Sequence, residues 1–179
     1  MPADSPKQPE VWLRGPVPGV SPALQPVAHA LLGALEDTER FIADLDPGDL
    51  WVGPGGAASI GFHLRHMAGS LDRLFTYARG EPLSDAQREA LAREKDVTPE
   101  VTAEELLREL RRQVDVALER LRATPDASLD EPRAVGRAGY PSTVRGLLHH
   151  AGEHTARHAG QISTTVKVLR GLRAQDFSG

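Results

Sequence analysis

The chain has 179 residues, no cysteine and a formal net charge of −4, with 26% charged and only 4% aromatic residues. That length suits one domain around a single core. The missing cysteine excludes disulfides, thiolate metal sites, Fe–S clusters and a cysteine nucleophile, so any thiol chemistry must use a small-molecule thiol. Mild acidity without a long basic run gives no support for a nucleic-acid partner. Met1 is not followed by a basic stretch and an apolar h-region, and no run approaches the roughly 18 apolar residues that a membrane helix needs. The expectation is a cytoplasmic protein acting on a small molecule, without nucleic acid or membrane. Abundant Ala, Leu, Arg and Glu favour helices packed through aliphatic side chains.

Residues 1–22 carry six prolines, Pro2, Pro6, Pro9, Pro16, Pro18 and Pro22. Proline fixes φ and lacks the amide proton, which predicts an irregular arm, with Trp12 and Leu13 available to pin it to a domain spanning 23–179. A first helix is expected from Ala23 to Leu45, because Leu24, Val27, Leu31, Leu35, Thr38 and Ile42 recur at steps of three and four. Pro47-Gly48 ends it, and a Gly/Pro loop follows from Leu50 to Ser59. Ser59 is the expected N-cap of a second helix, Ile60 to Arg79, stopped by Gly80 and Pro82. A short helix is expected over Asp85–Glu94. Thr102-Ala-Glu-Glu105 has the capping-box form and opens a helix to Arg122, with Leu106, Leu110, Val114, Ala117 and Leu121 as its core stripe. Thr124 to Pro141 shows no clear period, and strand signals are negligible. Ser142 is the expected cap of a last helix that runs to Arg170, with Gly171 as its C′ residue. Four long amphipathic helices read as an all-α four-helix bundle.

Six of the seven histidines fall in two windows, Gly61-Phe-His63-Leu-Arg-His66-Met and His149-His150-Ala-Gly-Glu-His154-Thr-Ala-Arg-His158. On the last helix, Leu147, Ala151, His154, His158, Ile162, Thr165 and Leu169 fall within roughly 80° of one another at about 100° per residue. This is a buried seam, and two of its members are histidine. His150 and Gln161 lie at its edge, and His149 faces the opposite side. Two imidazoles one turn apart on a core face need partners, because burying a polar group alone is costly. One reading is core histidines satisfied by Glu153, Ser70 or backbone carbonyls. The other is a shared metal, since i and i+4 histidines can reach one ion. His154 is followed by Thr155, so the His-Glu-x-x-His protease mechanism has no support. Imidazole suits zinc, nickel, iron or copper, and a catalytic site usually has a third protein ligand. On the second helix the apolar arc is Ile60, Leu64, Met67, Leu71, Leu74 and Ala78. His63 lies at its edge and His66 further round, so the period alone leans toward His63.

The stretches Gly55-Gly-Ala-Ala-Ser-Ile-Gly-Phe-His-Leu-Arg-His-Met-Ala-Gly-Ser-Leu-Asp-Arg-Leu74 and Glu153-His-Thr-Ala-Arg-His-Ala-Gly-Gln-Ile162, with the opening Trp12-Leu-Arg-Gly-Pro-Val-Pro-Gly19, resemble the DinB/YfiT superfamily of metal-binding four-helix bundles. The resemblance covers nearly the whole chain. It implies a divalent metal, zinc or nickel before iron or manganese, held by His66, His154 and His158. It thus selects His66 over His63, and leaves His63 and His150 as residues around the site. It further implies a homodimer.

Relatives with known activity include S-transferases and isomerases that use bacillithiol or mycothiol. The resemblance therefore implies a metal-dependent transferase with a low-molecular-weight thiol at the open metal position, where a bound thiol is deprotonated. Arg65, Arg73, Arg157 and Tyr77 are the candidate contacts to an acidic cosubstrate. The alternatives are a metal-dependent hydrolase with Glu153 as base, and a non-catalytic metal-bound structural or sensing bundle.

Overall fold

The computed structural model describes residues 8–176. Pro2 and Pro6 of the expected arm lie outside the described residues. The fold is mostly helical, with one small hairpin. Helices α1 (Gln25–Ile42), α2 (Ile60–Ala78), α4 (Ala103–Ala123) and α5 (Val144–Asp176) are long. Helix α3 (Asp85–Ala92) is short, and β1 (Pro132–Val135) pairs antiparallel with β2 (Tyr140–Thr143). Both α1 and α2 pack against α4 and α5, which places α5 beside α2 along the histidine windows. No helix among the described residues is long and apolar enough to cross a membrane.

The apolar stripes read from the sequence fill the core. Leu24, Val27, Leu31 and Ile42 are buried at α1, Ile60, Leu64, Met67 and Leu71 on α2, and Leu106, Leu110, Val114 and Leu121 on α4. The caps are also in place. Ser59 Oγ accepts from Phe62 N at 3.2 Å, and Thr102 and Glu105 form the reciprocal capping box, with bonds of 3.2 and 2.8 Å. Entry into α2 is close-packed. A Cβ on Gly61 would meet the Trp51 ring at 2.6 Å, so glycine lets the 50–59 loop lie flat on the helix.

Several expectations are corrected. Among the described residues the arm forms a 3-10 turn at Val11–Leu13, and it is Val11 and Val20 that are buried, while Trp12 and Leu13 are more than half exposed. The stretch read as lacking strand signals holds the hairpin. Its turn needs positive φ at Gly136 and Gly139, and Pro132 and Pro141 are tolerated because a two-stranded ribbon is all edge. Ser142 pairs with Arg133 in this ribbon. The cap of α5 is its neighbour Thr143, whose Oγ1 accepts from Gly146 N at 3.0 Å. Gly171 does not end α5. It keeps negative φ, and Arg173 two residues later donates to Asp46 at 2.6 Å and Asp49 at 2.8 Å, holding the last turns on the 46–49 segment.

Helix α3 stops two residues short of the expected Glu94. The chain leaves helical geometry at Arg93, and the next side chain turns inward against α2.

Candidate metal centre

Helix α5 buries a wider face than the seam predicts, because it packs on α1 as well as α2. Leu148, Thr155, Ala159 and Val166 are buried together with Leu147, Ala151, Ile162, Thr165 and Leu169. His158 lies in this face at 9% exposure, whereas His154 is half-buried at its margin. His149, His150 and Gln161 are exposed.

Across from them, α2 contributes two histidines on successive turns. His66 Nε2 lies 2.9 Å from His154 Nε2, and His63 Nδ1 lies 2.9 Å from His158 Nδ1. One nitrogen each from His66, His154 and His158 fall within 4.8 Å of one another, and neither His63 nor a carboxylate belongs to that set. The three rings pack at 4.5–5.1 Å between centroids. Phe62, which no motif or period singles out, stacks on His66 at 5.3 Å with planes 11° apart. The His66 side chain remains 20% exposed, so the cluster opens toward solvent on that side.

These rings are disposed to offer lone pairs. Burial, then the neighbouring imidazoles, push His158 down to about 3 and His154 down to about 4. Burial and His66 also lower His63. All three are therefore neutral at pH 7. His154 Nδ1 is fully buried with no hydrogen-bond partner. For a tetrahedral zinc with zinc–nitrogen distances of about 2.0–2.1 Å, two ligands stand roughly 3.3–3.4 Å apart, and the His66–His154 separation of 2.9 Å needs only a small outward shift of the rings to reach it. The residues present thus fit a divalent metal.

The partners of the candidate histidines differ from those foreseen. Ser70 is bonded to Met67 O, and Glu153 serves Arg157 and the exposed His150. His66 instead meets Glu94, with Nδ1 2.7 Å from Oε2. The other carboxylate oxygen accepts from Arg73 at 2.5 Å. Burial alone would raise the Glu94 carboxyl, but hydrogen bonds from His66 and Arg73 outweigh it and hold the group below its ordinary value. Glu94 is 28 residues from His66 in sequence and follows a helix end, so no periodic signal points to it.

The basic residues suggested for an acidic cosubstrate have partners within the fold. Arg65 donates to Asp96 O at 2.7 Å and Thr98 Oγ1 at 2.5 Å and lies over Trp51. Arg73 is buried on Glu94, and Arg157 is paired with Glu153. Tyr77 is half-buried against the core. A groove of about 890 Å3 lies elsewhere, between the arm and α1, lined by Trp12, Arg14, His29 and Glu36 among others. None of the clustered histidines lines it.

Solved structures of the same fold include a conserved protein from Enterococcus faecalis (TM-score 0.65, 20% identity, covering 81% of this chain and 95% of that one). A DinB-like protein from Bacillus cereus gives a TM-score of 0.58 at 15% identity, covering 76% and 85%. A Streptococcus pneumoniae protein gives 0.59 at 12% identity, covering 81% and 88%. At these identities the likeness is one of fold. No curated protein matches the chain. The DinB superfamily profile matches residues 30–162, a span that contains α2, α3, α4 and every residue of the histidine cluster, and the chain belongs to that superfamily.

Proposed function

We propose that the chain is a metal-dependent transferase, built on a four-helix bundle, in which His66, His154 and His158 hold a divalent ion and a low-molecular-weight thiol is the cosubstrate. The observation that carries the reading is the convergence of three imidazole nitrogens, two of them on rings kept neutral by burial. Three protein ligands leave a position open, and zinc or nickel suits an all-imidazole set. When bound, the ion would act as a Lewis acid and favour the thiolate form of a thiol.

The chain's own residues supply orientation. Phe62 stacks on His66 and limits its rotation. For His158 to offer Nε2, its Nδ1–H must donate to His63 Nδ1, which the 2.9 Å contact allows. The absence of cysteine means that the nucleophilic sulfur must arrive with a small molecule. A hydrolase using Glu153 as base is less well supported. The hydrogen bond from Arg157, with smaller help from nearby charges, holds that carboxyl below its ordinary value and makes it a weaker base.

The test is to incubate zinc- or nickel-loaded protein with bacillithiol-type thiols and electrophilic acceptors. The expected result is thiol-dependent product formation that disappears in His66→Ala, His154→Ala and His158→Ala. Thiol-independent cleavage of ester or amide probes would favour the hydrolase instead, and inactivity with both substrate classes would favour a non-catalytic metal-bound bundle.

A further inference from the structure

We propose that Glu94, braced by Arg73, is the positioning residue that fixes His66 as a ligand. The inference rests on the metal reading above and assigns the outer partner of its α2 ligand. An ionised carboxylate can only accept. The 2.7 Å contact therefore places the His66 proton on Nδ1 and leaves the lone pair of the neutral ring on Nε2, the atom beside His154. A carboxylate behind a ligating imidazole sets its tautomer and ring angle and raises its basicity.

The surroundings are built for this contact. Glu94 is 5% exposed, and its second oxygen is occupied by Arg73, seven residues after His66 on the same face of α2. Gly69 lies between the two on that face. A Cβ there would meet Glu94 Oε1 at 2.7 Å and Arg73 Nη1 at 2.8 Å, so the glycine makes room for the pair. The carboxylate's own segment is tied down by Arg65, which precedes His66 and binds Asp96 O and Thr98 Oγ1. The constellation His66-x2-Gly69-x3-Arg73 with Glu94 is thus one unit assembled from α2 and the chain leaving α3.

A role limited to neutralising buried Arg73 would leave His66 indifferent to Glu94, and this separates the two explanations. Zinc ion is the probe, with the dissociation constant read by competition against a chromophoric chelator. The proteins are wild type, Glu94→Gln, the double variant Arg73→Met/Glu94→Gln, Gly69→Ala, and His154→Ala as the ligand-loss control. The double variant removes both buried charges and carries the test if Glu94→Gln fails to fold. Gly69→Ala keeps every charge and carries it if neither of those folds. Zinc binding should weaken about 10- to 100-fold without Glu94 and several-fold in Gly69→Ala. Nitrogen-15 NMR of the metal-free folded variants should show His66 leaving the Nδ1–H tautomer. Wild-type affinity in a folded Glu94 variant, with His66 still Nδ1–H, overturns the proposal while the metal site stands. Wild-type protein that binds zinc no better than His154→Ala overturns the metal reading, and this proposal with it.

Discussion

The clustered histidines differ in their outer contacts: Glu94 stands behind His66, His63 behind His158, and His154 Nδ1 has no hydrogen-bond partner. His154 and His158 share a resistance to protonation, which links folding to pH. In the unfolded chain these rings titrate near 6.5, whereas in the fold His154 and His158 wait until about 4 and 3. As pH falls below 6.5 the unfolded state takes up protons that the native state refuses, so stability present above that pH is progressively lost. Each histidine contributes at most about 1.4 kcal/mol per pH unit. Urea unfolding of the metal-free protein between pH 7 and 5 should show this decline, and His158→Gln should make it shallower. A flat profile would mean that the rings are not shielded as described. At the same scale, the His-x3-His pair was legible because helical period places both residues on one packed face. The choice between His63 and His66 was not, because both flank the α2 arc and only the placement of α5 decides which one meets His154. Glu94 was invisible because its approach depends on where α3 ends.

Among elements, the parts with strong period or reciprocal caps were readable: the stripes of α1, α2 and α4, and the capping box at Thr102. The hairpin was not, because four-residue strands carry too few alternations to register and each contains a proline. Missing it also shifted the start of α5. The N-terminus of this helix now depends on Thr143, whose hydroxyl satisfies the Gly146 amide. Thr143→Ala should cost about 1 kcal/mol in chemical denaturation, without changing metal content, since the histidine windows begin further along the helix. An unchanged midpoint would show that the hairpin alone fixes that end. The hairpin also serves α2, for Arg133 donates to Ala78 O at 2.8 Å at its C-terminal turn, a bond that links the two histidine-bearing helices through β1.

At the scale of the molecule, the fold's contribution is to press α2 and α5 together so that residues about 90 positions apart become neighbours. The ring of helix contacts sets α2 against α4 and α5 against α1, and Arg173 anchors the far end of α5. In the proposed reading, the open side of the cluster at His66 is where the thiol enters. The proposed function depends on the three imidazoles acting on one ion, and metal analysis tests that most directly. Protein equilibrated with zinc or nickel and freed of excess should retain about one ion per chain, and His66→Ala, His154→Ala and His158→Ala should each lose it while His149→Ala does not. Folded wild-type protein that retains no more metal than the three ligand variants would contradict the account.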